Sequence, residues 1–116
     1  MRMLIGVMGL LLLCARAEAN EFSNAQEFVA RYQQGGDLLL LQLYVKGITD
    51  GFGFSNGLLA NNGQKPLFCP PQSLPLVDAQ YVAILANFLK RIPSAGSQPP
   101  GAVLLFALQD QFPCAK

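Results

Sequence analysis

Cys69 and Cys114 constrain this chain more than any other pair of residues, and what they do depends on the compartment in which it folds. The N-terminus reads as an export signal. Met1-Arg2-Met3 supplies a short positive segment, and Leu4 to Leu13 is an apolar run of ten residues. A helix that crosses a bilayer needs about twenty apolar residues, so the run suits the core of a signal peptide and not an anchor. Ala17-Glu18-Ala19 has the small-x-small pattern of a cleavage site. The expected organisation is a signal peptide over residues 1–19 and one domain over 20–116, with a cut after Ala17 as the alternative. Cys14 follows a large Leu13, which fits a lipoprotein signal poorly. In an oxidising compartment outside the cytoplasm the remaining two cysteines are expected to form one disulfide. The loop closed between positions 69 and 114 stabilises by about 4 kcal/mol on the chain-entropy model. That is a large share of the roughly 5–15 kcal/mol that a domain possesses.

Charge narrows the range of partners. Beyond the leader stand six basic residues (Arg31, Lys46, Lys65, Lys90, Arg91, Lys116) and six acidic ones (Glu21, Glu27, Asp37, Asp50, Asp78, Asp110). The balance is near zero and no block of like charge exists, so no nucleic acid and no anionic membrane surface is implied. The run Leu38 to Leu41 is interrupted by Gln42, so no stable membrane insertion is expected after cleavage.

Hydrophobic periodicity predicts an all-α fold, a small four- to five-helix domain. The first helix is expected from about Asn24 to Gln34. Ser23 with Gln26 has capping-box spacing, Phe22 suits a hydrophobic staple, and Gly35-Gly36 stops the helix. Phe28, Val29 and Tyr32 repeat at helical spacing.

The second helix opens at Asp37, a favourable N-cap. Leu40, Leu41, Tyr44, Val45, Ile48 and Phe52 form one broad stripe along it. Gly47, Gly51, Gly53 and Gly57 each cost a helix about 1 kcal/mol relative to Ala. Gly47 and Gly51 share a face, which suits close packing on another helix of the chain, or else on a second copy or a partner. A kink or break is expected around Gly51-Phe52-Gly53, and an end before Asn61-Asn62-Gly63.

Prolines make Gln64 to Pro75 a loop. A third helix follows Asp78 and runs to about Arg91. Val82, Leu85, Ala86 and Leu89 line its core face, widened by Tyr81, Ile84 and Phe88. Ser94 to Gln98 reads as a polar, flexible linker, and Pro99-Pro100 presets the start of a fourth helix over about Gly101 to Gln111. Val103, Leu104, Leu108 and Phe112 face the core of that helix.

The chain has no histidine and no tryptophan. The commonest general base, the usual nucleophile–base pairs and the commonest transition-metal ligand are therefore missing. With both cysteines assigned to a bridge and the carboxylates scattered singly, no catalytic residue, cofactor or metal is expected. No phosphate-binding glycine motif is present, because the glycines near Phe52 follow neither spacing. The expectation is a binding protein and not an enzyme. The candidate partner-binding residues are those of two polar loops: Asn61 and Asn62, and Ser94, Ser97 and Gln98.

Several segments taken in order are similar to the Rap/Tai amidase-immunity family of type VI secretion. They are Tyr44-Val45-x-Gly47-x-x-Asp50-Gly51, Leu67-Phe68-Cys69-x-Pro71, Phe88-Leu89-x-x-x-Pro93 and Ala107-Leu108-x-x-x-Phe112-Pro113-Cys114. The resemblance covers about Leu40 to Cys114. It implies a periplasmic, mainly helical protein, commonly dimeric, that docks onto a peptidoglycan-cleaving amidase and obstructs its active-site groove. Many members of that family carry a second cysteine pair joining the first two helices. Phe28 to Leu43 contains none here, and Leu41 stands about where one is expected. The reading from a different class is a small periplasmic structural or chaperone-like protein with no dedicated toxin.

Overall fold

The computed structural model describes residues 24–73 and 75–116. The leader, its cleavage site, and the Ser23 cap with its Phe22 staple lie outside the described residues. Four α-helices and one 3₁₀ turn follow in order: α1 (Ala25–Gln34), α2 (Leu38–Asn61), α3 (Asp78–Arg91), the Pro93–Ser97 turn, and α4 (Pro100–Gln111). No strand occurs among the described residues.

Each helix end has a local cause. The Asn24 side chain accepts the Glu27 amide at 2.8 Å and opens α1. Gly35, at φ +75°, closes it by donating its N–H to the Tyr32 carbonyl. Glycine reaches this left-handed region without the clash that a Cβ brings. Asp37 holds the N-cap position of α2, but with φ +51° its side chain makes no cap hydrogen bond. At the start of α3 the Gln80 side chain accepts the Val77 amide at 2.9 Å, which is half of a capping box. Ile92-Pro93 stops that helix.

The expected break in α2 does not occur. The helix is continuous from Leu38 to Asn61 through all four glycines. Packing of its inner face outweighs their cost. Phe52 meets Phe68 edge-on at 6.1 Å between ring centroids. Asn56 grips the following loop, its Oδ1 accepting the Leu67 amide (2.8 Å) and its Nδ2 donating to the Phe68 carbonyl (3.1 Å).

The close approach expected at Gly47 and Gly51 is also absent among the described residues, since a Cβ at either position would meet nothing within 4 Å. It occurs at Gly101 on α4, where the Ile48 side chain lies 3.3 Å from the site of a Cβ. Leu40 is a further correction. At 47% exposed it leaves the predicted stripe, while Leu41 and Val45 are buried and Tyr44, Ile48 and Phe52 pack against the core.

The core lies between α1, α3 and α4, with the first half of α2 laid over it. Phe28, Leu41, Val45, Leu85, Val103 and Leu108 are its largest fully buried side chains. Leu41, where the family resemblance places a cysteine, is a plug with no exposed surface. Burying a leucine fully is worth about 1.5–3 kcal/mol, comparable to part of what a staple supplies.

Cys69 and Cys114 are bridged, with their Cα atoms 4.9 Å apart. The bridge does not act alone. The Cys69 amide donates to the Phe112 carbonyl at 2.8 Å, and Gln109 Nε2 donates to the Leu67 carbonyl at 3.2 Å. The 64–69 segment is thus held by α2 on one side and by the end of α4 on the other. Arg91 pairs with Asp110, tying α3 to α4 at the surface.

Candidate functional site

Among the described residues no polar or charged side chain is buried, and no group of three His, Cys, Asp or Glu could hold a metal ion. No helix among them is long and apolar enough to cross a membrane. What the molecule offers a partner is its surface, and two regions of that surface are organised.

The first is the Pro93–Ser97 turn, expected as a flexible linker and found ordered. Pro93 presets the backbone, the Ala95 amide donates to the Ile92 carbonyl, and the Gln98 amide donates to the Ala95 carbonyl. The Ser97 hydroxyl donates to the Ser94 carbonyl at 3.3 Å. The turn is fastened to α1 twice. The Ala25 amide, one of the orphan donors at a helix start, donates to the Gln98 carbonyl at 2.9 Å. Gly96 is buried, and a Cβ there would stand 3.1 Å from Cβ of Gln26. Ser94, Ser97 and Gln98 remain exposed on this fixed turn.

Asn61 and Asn62 are exposed at the C-terminal end of α2. Asn62 is the C-cap and Gly63, at φ +68°, turns the chain. The structure does not join the two predicted sets. Asn61 lines an open face with Phe54, Gly57 and Leu58, whereas Ser97 lines a groove with Asn24, Glu27 and Pro93.

The second organised region was not foreseen in the sequence. It is the side of α2 opposite the core, where Leu39, Leu43, Phe54 and Leu58 are 71%, 59%, 77% and 65% exposed. Its first half forms one wall of a groove of about 460 Å³, with Leu76, Val77 and Tyr81 opposite. Four consecutive leucines from Leu38 point all round a helix, so at least one had to face water. That signal was present in the sequence, but it merges there with the inner stripe.

All three tyrosines titrate above their ordinary range. Burial, with the hydrogen bond to Asp78 second, pushes Tyr32 up to about 12. Its hydroxyl donates to Asp78 Oδ2 at 2.6 Å, joining α1 to the start of α3. Burial also raises Tyr44 and Tyr81. These groups stay protonated near neutrality, and all three pack against the core.

A family model described as Rap1a immunity proteins matches residues 8–114 of the chain. Among curated proteins and solved structures, nothing matches it significantly.

Proposed function

The chain belongs to the Rap1a family of immunity proteins, and from that premise we propose that it is a periplasmic protein that blocks a peptidoglycan-cleaving amidase effector of type VI secretion by binding to it. The signal-like leader supports the compartment, because an effector acting on the cell wall has to be met outside the cytoplasm. The observation that carries the binding mode is the Pro93–Ser97 turn. It is fixed to α1 by the Ala25–Gln98 hydrogen bond and by the buried Gly96, and it holds Ser94, Ser97 and Gln98 in water. A turn already ordered loses little conformational freedom on docking, so more of its contact energy appears as affinity. Asn61 and Asn62 are the secondary contact candidates, at a separate place on the surface.

The test is protection. A strain exporting a candidate amidase effector to its periplasm lyses, and co-expression of this chain with its leader should prevent lysis. Deleting the leader should abolish protection while leaving binding in vitro intact. Ser94→Arg with Ser97→Arg should weaken the complex by about tenfold or more while the helical spectrum is unchanged, because bulk and charge are set into a docked surface. Failure to protect against each amidase effector encoded beside such a protein would overturn the reading.

A further inference from the structure

The dipeptide Asn-Gly occurs twice, at Asn56-Gly57 and at Asn62-Gly63. Asparagine is a thermolabile residue, and a glycine after it leaves the next backbone nitrogen unhindered by a side chain. In the sequence the two pairs are equivalent, and the structure separates them. Asn56 lies inside α2 with both ends of its side-chain amide held, Oδ1 accepting the Leu67 amide and Nδ2 donating to the Phe68 carbonyl. Gly57 belongs to the same continuous helix, so its N–H is bound in the helical ladder. Neither group reaches the other unless the helix opens and the grip on the 64–69 segment is lost.

Asn62 is placed differently. It is the C-cap of α2 and is exposed. Among the described residues no hydrogen bond holds its side chain. Gly63, at φ +68°, stands outside the helix, and its N–H meets the Ala60 carbonyl at 3.0 Å. The Gln64 amide meets the Leu59 carbonyl at 2.8 Å. Helix ends open locally at little cost, so these bonds release the Gly63 nitrogen far more often than the ladder releases that of Gly57.

We propose that Asn62-Gly63 is a site of spontaneous covalent modification, at which the folded protein converts Asn62 to aspartate and isoaspartate while Asn56 remains an amide. The Gly63 nitrogen gives its proton to hydroxide and attacks Cγ of Asn62. A C–N bond forms, the Cγ–Nδ2 bond breaks, and Nδ2 leaves as ammonia with a proton from water. The product is a five-membered succinimide, which water then opens. Attack at Cγ yields aspartate, and attack at the main-chain carbonyl yields isoaspartate, whose backbone runs through the former side chain. Either product sets a carboxylate at the negative end of the α2 dipole, where an anion is unfavourable. Isoaspartate also lengthens the backbone by one carbon, so the Gly63 and Gln64 amides lose their register on the last turn. The inference does not depend on the effector reading, because it uses only the fold at the end of α2.

Ageing the purified protein tests this. One sample is kept folded for days in mildly alkaline buffer, and another is kept reduced in concentrated urea. Pro66 blocks tryptic cleavage after Lys65, so both asparagines fall in the 47–90 peptide and fragment masses must place the acid. In the folded sample the mass gain of amide to acid should stand at position 62, with isoaspartate detected as a methyl acceptor for an isoaspartyl methyltransferase. Conversion at Asn56 should be about tenfold or more slower, since it waits on opening of the helix interior. In urea the two positions should convert at similar rates. Asn62→Gln should abolish the folded-state conversion without changing the helical spectrum, because the larger ring closes far more slowly. An amide retained at position 62 in the folded sample would overturn the proposal. So would folded protein in which Asn56 converts as fast as Asn62, or an Asn62→Gln variant that gains the same acid.

Discussion

Asn56 does for the 64–69 segment what a neighbouring strand would do in a sheet. Its side-chain amide copies a peptide group, accepting the Leu67 N–H and donating to the Phe68 carbonyl. Both backbone groups are partly buried, so removing the amide strands them away from water. Asn56→Ala should therefore cost about 1–3 kcal/mol in a chemical denaturation curve, and Asn56→Asp, which keeps the acceptor only, should fall between. Tyr32 offers a second prediction at this scale. Its phenol, pushed up to about 12, holds its proton more tightly in the folded chain than in the unfolded one. The stability it contributes is present in full below pH about 10 and is lost as pH rises towards about 12. An ultraviolet titration of the native protein should show tyrosinate forming late. Tyr32→Phe should remove the highest step and leave those of Tyr44 and Tyr81.

At the scale of the element, α2 sets two demands against each other. Four glycines weaken it, and the inner contacts of Phe52 and Asn56 hold it straight. Gly51 lies in the helix interior, and the position of its missing Cβ is open. Gly51→Ala should raise stability by about 1 kcal/mol, seen as a rise of several degrees in melting temperature. No rise would mean that the position is covered in solution. The helices themselves were legible because apolar spacing reports burial: Phe28, Val29, Val82, Leu85, Leu89, Val103, Leu104 and Leu108 all reach the core as their periodicity predicts. The continuity of α2 was not legible, because it depends on Phe68 and Leu67, which are distant in sequence. The same holds for the Ser94–Gln98 segment. Its composition reads as a linker, while its order comes from the start of α1, some seventy positions earlier. The bridge was readable from residue count and compartment alone, whereas the outer stripe of α2 was hidden by the leucines of the inner one.

At the scale of the whole molecule, what secures the fold and what presents the turn proposed to bind the effector use different parts of the chain. The Cys69–Cys114 bridge clamps the loop before α3 to the end of α4. The Pro93–Ser97 turn is fastened by α1, through the Gln98 carbonyl and the seat of Gly96 beside Gln26. Stability and the proposed effector binding should therefore respond to different substitutions. Removing the bridge with Cys69→Ser and Cys114→Ser frees the unfolded chain and should cost about 4 kcal/mol, a loss that reductant reproduces in the unmodified protein. Below its lowered melting temperature, the bridgeless protein should still bind an amidase effector with unchanged affinity, because the turn and its fastenings to α1 remain. Gly96→Val should do the reverse. Its side chain has to displace Gln26, which lifts the turn from α1, so calorimetry with the effector should show weakened binding while the melting temperature falls little. If the bridgeless protein, folded by circular dichroism, lost its effector affinity as well, recognition would have to reach the C-terminal end of α4. The reading centred on Ser94, Ser97 and Gln98 would then be wrong.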